Sequence, residues 1–345
     1  MTQSALTIIK SDYPEKWQQI LSDLITDPKE LLQILELETE TCPYSLRAIE
    51  QFPLKAPRPF VARMEKGNWR DPLLLQVFPS LNEEIIKPDY SPDPLAEKQY
   101  NPLPGLLHKY QGRVLLTTVP HCAIHCRYCF RRHFDYADNS PSRNQWQTAI
   151  DYIQQDHSIE EVILSGGDPL AASDRQLAWL VDQISEIEHV SSLRIHTRLP
   201  IVIPQRITAG LLQIVTGSRL KTVLVVHCNH AQELGADVAT ALSTLAANRV
   251  MMLNQSVLLA GINDNPTTLA NLSKSLFRHH VLPYYLHMPD KVAGTSHFDV
   301  DEVTALGLIR QMQNTLPGYL VPRLVREQAG EPAKNSLVVE ISRSN

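Results

Sequence analysis

Six short runs of β-forming apolar residues recur along the chain, and a helical pattern follows each of them. The runs are RVLLTTV at 113–119, EVILSG at 161–166, LRIHTR at 193–198, TVLVVHC at 222–228, VMMLNQSVLL at 250–259 and LPYYLH at 282–287. The first two begin 48 residues apart, and the later ones 28 to 32 apart. Amphipathic stretches fill the gaps at 146–155, 174–187, 204–215, 233–247 and 267–278, and a last one follows at 301–316. Regular strand–helix alternation predicts a parallel sheet covered by helices, and near-continuous apolar strands predict burial on both faces. The class is therefore α/β. Six units are too few for a closed eight-fold barrel, so an open doubly wound sheet and a partial six-unit barrel both remain. Either form puts chemistry at the C-terminal ends of the strands. Special residues do fall there: a cysteine loop, then Gly166-Gly167-Asp168, Arg198, His227 with Asn229, Gln255, and Asp290.

Residues 1–105 have a different texture. Asp12 is placed to cap a helix through Trp17, Ile20, Leu21, Leu24 and Ile25. Asp27-Pro28 opens a second helix, with Leu31, Leu32 and Leu35 inward. Closely spaced prolines then forbid long helices and central strands, apart from one short apolar helix around 73–78. This predicts a helical, Pro-rich extension that wraps the βα core of 106–316. A C-terminal segment, 317–345, should hold strands at 320–325 and 336–342, joined by the loop REQAGEPAKN. The chain has 345 residues, 43% hydrophobic and 20% charged, with a net charge of −5. That balance gives no electrostatic case for nucleic acid or a membrane surface. No apolar run approaches bilayer length, and no signal peptide is evident, so a cytoplasmic protein is expected.

Three of the five cysteines, Cys122, Cys126 and Cys129, lie within eight residues. Such crowding fits a metal or cluster site better than a disulfide framework. Three thiolates can hold an iron–sulfur cubane and leave one iron open to a small molecule. Zinc is the rival, with His121, His125 and His133 nearby, although structural zinc ligands usually come as two separated pairs. A plain electron carrier lacks its fourth clustered cysteine. Cys42 and Cys228 stand alone and read as small buried residues.

CxxxCxxC after a first strand, Tyr128 just before the third cysteine, and Gly166-Gly167-Asp168 after the second strand resemble the radical S-adenosylmethionine (SAM) superfamily. Within it, GLLHKYQGRVLL, CRYCFRRHF, VILSGGDPL, HTRLPIVIPQRI, VHCNH, LNQSVLLAGIND and YYLHMPDKVAGTSHF resemble the lysine 2,3-aminomutases across roughly residues 100–335. The resemblance implies a partial (β/α)6 TIM-like barrel of the radical SAM type. It also implies three cofactors: a [4Fe–4S] cluster on Cys122, Cys126 and Cys129, SAM, and pyridoxal phosphate (PLP). Lys334 matches the lysine that carries PLP, in a loop where Glu331, Pro332 and Ala333 replace family glycines. Tyr110, Arg113 and Arg198 match the region serving the PLP phosphate, and Lys109 stands where the family has arginine. Ser165, Gly166, Gly167 and Asp168 match the turn that holds the SAM amino group. His227 and Gln255 match cofactor-contacting positions. For the substrate, Arg131 matches the carboxylate receptor. Asp290 and Glu327 match the acids that read the distal ammonium of L-lysine, with Glu327 replacing an aspartate. With only residues 335–345 after the lysine, the chain resembles short family members that make (R)-β-lysine for an elongation factor P ligase, using an external electron donor. An aminomutase for another amino acid, and a non-catalytic zinc module, are the alternatives.

Overall fold

The computed structural model describes residues 17–38, 45–134 and 142–338. Nine strands form one sheet: β1 (Leu106–Tyr110), β2 (Arg113–Val119), β3 (Glu161–Gly166), β4 (Ser192–Thr197), β5 (Lys221–Val226), β6 (Met251–Val257), β7 (Val281–His287), β8 (Arg323–Arg326) and β9 (Asn335–Ser336). They lie side by side in sequence order. Strands β2 to β8 pair parallel, while β1 and β9 add antiparallel edges. A doubly wound sheet reverses its strand order at a switch point; this one never does, so the barrel-type arc is the form adopted. The described edge strands β1 and β9 do not pair with each other, and the arc stays open. The six expected strands appear within two residues of their sequence bounds. The parallel set gains a seventh member, β8, which the sequence marked only as a tail strand.

Helices cover the arc: α5 (Arg143–Gln155), α6 (Asp174–Ser185), α7 (Leu199–Val202), α8 (Ala209–Thr216), α9 (Ala236–Ala247), α10 (Pro266–Arg278) and α11 (Glu302–Thr315), numbered after four N-terminal ones. Their starts are set locally. Ser142 and Ser173 make capping boxes with Gln145 and Gln176, and Asp301 caps α11. The stretch expected to be one helix at 204–215 splits, because Pro204 starts a separate 3-10 turn and Thr208 caps α8 afresh. Leu164, Leu193, Ile195, Leu224 and Val226 are almost fully buried under these helices. Each such side chain contributes about 1.5–3 kcal/mol over an exposed position.

The N-terminal segment shares this core. It holds α1 (Trp17–Ser22), α2 (Pro28–Ile34), α3 (Leu46–Gln51) and α4 (Arg58–Val61). Trp17, Leu31, Phe60 and Leu73 belong to the same apolar cluster as Leu164 and Leu224. Asp27 caps α2 as expected, and Leu31, Leu32 and Leu35 are buried. The first helix is shorter than its apolar spacing suggests: Ile25 leaves it to bridge Ala56. Its expected cap, Asp12, lies outside the described residues, as do Cys42 and most of the 336–342 strand. The expected helix at 73–78 is a series of tight turns, nucleated by Asp71, whose carboxylate accepts from the Leu73 and Leu74 amides at 2.8 and 2.9 Å. No helix among the described residues is long and apolar enough to cross a membrane.

Candidate active site

The cysteine loop leaves the C-terminal end of β2 and is fastened on two sides. Behind it, the β3 turn packs backbone to backbone: Gly167 N donates to Val119 O at 2.9 Å, and Asp168 N to His121 O at 3.0 Å. A Cβ on Gly167 would lie 2.3 Å from the His121 carbonyl oxygen, so only glycine fits. On the other side, buried Glu83 holds two arginines of the loop, Arg127 at 2.5 Å and Arg132 at 2.7 Å. Arg127 also donates to the Phe52 and Ala48 carbonyls. The N-terminal segment thereby fixes the loop that carries the thiols.

Burial pushes the Cys122 thiol well above the usual range and Cys129 up to about 12. Unaided, these groups stay protonated, so a metal must displace the protons to bind. Among the described residues no three His, Cys, Asp or Glu side chains converge on one ion. Two of the three nearby histidines are engaged elsewhere: His125 meets Pro53 O at 2.7 Å and stacks on Phe52, and His133 meets Ala293 O at 3.0 Å. The engagement of those two rings speaks against a single zinc. A cubane suits the trio better, since each thiolate takes a different iron.

Asp168 is buried, and burial raises its pKa against four hydrogen bonds. They come from Leu170 N at 3.0 Å, Thr197 Oγ1 at 2.6 Å, Arg198 N at 2.7 Å and Leu199 N at 3.0 Å. A carboxylate has about four lone-pair sites. Asp168 therefore ties the ends of β3 and β4 together and has little acceptor capacity left for a ligand ammonium.

Arg198 points at the cysteine loop rather than toward Lys334. Its guanidinium donates to Cys126 Sγ and Tyr128 Oη, both at 2.7 Å, and to Gln76 Oε1 and Glu233 Oε2 at 2.7 and 3.0 Å. Asn229 joins by donating to Tyr128 Oη and Gln76 Oε1. Gln76 and Glu233 were missed as site residues, and Asn229 was marked only by its place at a strand end. A lone glutamine inside the apolar run LLLQVF was the sequence signal for Gln76.

The second half of the site gathers where the two sheet edges approach. Glu327, just past β8, accepts from Lys334 Nζ at 2.6 Å, Tyr110 Oη at 2.8 Å and Lys109 Nζ at 3.0 Å. These cations and the hydroxyl outweigh burial and hold its carboxyl well below the usual range. Arg113 lies on the Tyr110 ring, 4.7 Å from its centroid. Asp290 behaves in the opposite way. Burial first, then the neighbouring Glu327, push it up to about 7. Arg131 is gripped by Glu97 at 2.8 and 2.6 Å and donates to Ser165 Oγ at 3.3 Å. No sequence pattern singles out Glu97, which arrives from the N-terminal segment. Histidines line the strand ends between these groups. His196 and His227 lie 3.3 Å apart, and burial holds His227 at about 4, and His196 and His287 well below their ordinary value. Gln255 Oε1 and His287 Nε2 are buried without a partner, open to a polar ligand.

A three-thiol loop on the first parallel strand of an open βα arc, beside a glycine-pair turn, defines a radical SAM enzyme. Residues 111–196 match the family model described as a 4Fe-4S single cluster domain. The chain is 48% identical to the L-lysine 2,3-aminomutase of Escherichia coli (strain K12), covering 95% of this chain and 96% of that one. It is likewise 48% identical to the enzyme of that name from Haemophilus influenzae, covering 93% and 95%. Against the one from Methanococcus maripaludis identity is 36%, covering 94% of this chain and 75% of that one. The chain belongs to the L-lysine 2,3-aminomutase family. Its cofactors are those of the family: a [4Fe–4S] cluster, SAM and PLP. The donors fit that set, with three thiols for a cluster, a lysine at the mouth of the arc, and unpartnered polar atoms on β6 and β7.

Proposed function

We propose that this chain is an isomerase that converts L-lysine to (R)-β-lysine by radical migration of the amino group from the α to the β carbon. The observation that carries the reading is the acid pair. Glu327 already holds two ammonium groups, and Asp290 stands beside it without a side-chain hydrogen-bond partner among the described residues. A side chain ending in a carboxylate would meet repulsion here; one ending in an ammonium would be held. This disfavours a glutamate aminomutase.

When bound, the cluster with SAM supplies the hydrogen-abstracting radical, and PLP holds the migrating nitrogen. The chain's own residues then do the positioning. Cys122, Cys126 and Cys129 bind the cluster. Asp168 fixes the turn that presents the Ser165–Gly167 backbone to the SAM amino group, while Arg198 and Tyr128 stand over Cys126. Lys334 anchors PLP, Tyr110, Arg113 and Lys109 serve its phosphate, and His227 and Gln255 contact cofactor from the strand ends. Arg131 receives the α-carboxylate through its planar fork. Asp290 and Glu327 fix the far end, so the reacting carbons are pinned between two charged ends. In this reading residues 1–105 wrap the 106–316 core, and 317–345 bring in the PLP lysine. The product passes to an elongation factor P ligase, an external donor reduces the cluster, and the enzyme works in the cytoplasm. Support for that placement comes from the family resemblance and the near full-length match to bacterial relatives.

The test is anaerobic incubation with reductant, SAM, PLP and L-lysine, followed by chiral analysis of the product. (R)-β-lysine is expected. Formation of a different β-amino acid from a different substrate, with none from lysine, refutes the assignment.

A further inference from the structure

Arg131, the residue read above as the substrate's carboxylate receptor, already holds a carboxylate that belongs to the chain. Glu97 meets it through two parallel bonds, Nε to Oε2 at 2.8 Å and Nη2 to Oε1 at 2.6 Å. This is the fork geometry by which arginine takes an amino-acid carboxylate. Both side chains are largely buried, at 7% and 14% exposure, which makes this a designed contact rather than a solvated surface pair.

The segment carrying Glu97 is built as a strap across the barrel mouth. At its start, Ser91 bridges Val292, with Ser91 N to Lys291 O and Ala293 N to Ser91 O both at 3.0 Å. Those residues follow Asp290, so the strap springs from the loop that carries one of the two acids. It then crosses to Arg131 and returns to β1. Its middle folds into a single 3-10 turn, with bonds from Glu97 N to Asp93 Oδ1 at 3.1 Å, Ala96 N to Asp93 O at 3.3 Å and Gln99 N to Ala96 O at 3.1 Å. Ala96 is left-handed, with φ of 51°, a conformation that non-glycine residues adopt at a cost. The strap is therefore pinned at its start, by buried Leu95 and by Glu97 on Arg131, with a left-handed residue immediately before that contact.

We propose that Glu97 is a specificity-determining residue that stands in for the substrate's carboxylate and yields Arg131 only to a ligand that brings one. The inference rests on the substrate reading given above. Substrate exchange is then one carboxylate for another at the same guanidinium, with no buried charge left unpaired at either stage. A ligand without a carboxylate leaves the strap closed. The apparent affinity for lysine is reduced by the closed fraction.

The experiment uses the cluster- and PLP-loaded protein. Glu97→Gln keeps the size and one acceptor oxygen but removes the charge and the second of the two parallel bonds. KM for L-lysine is expected to fall about tenfold, with kcat within about twofold, because a competing charged pair is lost. If Glu97 instead orients Arg131 for the substrate, KM rises, and the proposal is overturned. A second measurement needs no variant. Backbone hydrogen exchange across 93–101 in the wild-type protein should increase when L-lysine, or glycine at concentrations that inhibit lysine turnover, is added. It should not increase with 1,5-diaminopentane, which has lysine's ammonium groups but no carboxylate. Exchange that stays unchanged or decreases with lysine overturns the proposal. Should the protein ignore lysine but bind another α-amino acid more tightly as Glu97→Gln, the substrate assignment falls and the role of Glu97 stands. If it binds no α-amino acid, both fall.

Discussion

Asp290 should make the ligand-free protein less stable than it could be. Its carboxyl is lifted from the ordinary 3.8 to about 7, by burial first and by Glu327 second, with Glu97 adding repulsion and Lys334 and Lys109 opposing it. The unfolded chain releases this proton near 3.8, whereas the folded chain keeps it to about 7. Between those pH values the folded state binds more protons than the unfolded one, so stability falls as pH rises. The contribution is complete below about pH 4 and lost above about pH 7. Each tenfold in the ionisation constant is about 1.4 kcal/mol, so the full penalty above pH 7 is about 4 kcal/mol. Asp290→Asn keeps the shape and removes the charge. In urea denaturation of cofactor-free protein it should be more stable than wild type by about 4 kcal/mol at pH 8 and by about 2 kcal/mol at pH 5.5. The gain should vanish near pH 3. The variant should also bind L-lysine poorly, since the group that destabilises the empty site is the one that holds the ammonium. Wild type equal to or more stable than Asp290→Asn at pH 8 would refute the reasoning.

Three other outcomes are expected. Glu83→Gln leaves Arg127 and Arg132 sharing a neutral partner, and should lower stability by about 3–5 kcal/mol in a denaturant titration; a loss below about 1 kcal/mol would mean the loop is held by packing alone. Gly167→Ala drives a methyl into the His121 backbone, so iron bound per chain after anaerobic reconstitution should drop sharply; full iron content would show that the turn can shift. Lys334→Ala should abolish the PLP absorbance while the cluster absorbance survives; retained PLP after gel filtration would move the anchor elsewhere.

Some features were legible in the sequence because they are local. Strand and helix periods are read within a dozen residues, so five of the six βα units emerged nearly whole. The Asp27 cap acts within two residues of itself. The thiol triplet is one contiguous loop, and its chemistry is carried by residue type and spacing. The errors also had local causes. Pro204 split a helical pattern that periodicity had joined, and Asp71 coiled the 73–78 stretch into turns by offering its own acceptors.

The sequence by itself determined the class of fold, the thiol site and the family, since each depends on short-range pattern or on identity along the chain. The residue pattern left a doubly wound sheet and an arc both open and the family resemblance implied the arc; the tertiary structure shows it directly, because strand order is a property of pairing between distant segments. Only the tertiary structure turned Arg198 to the thiols, used up the Asp168 lone pairs within the fold, and placed Glu83 and Glu97 on their arginines. In each case charge finds its partner across tens of residues or more, and the partner is set by which side chains become buried together. A buried charge must be matched, but nothing in its neighbours along the chain says by which residue.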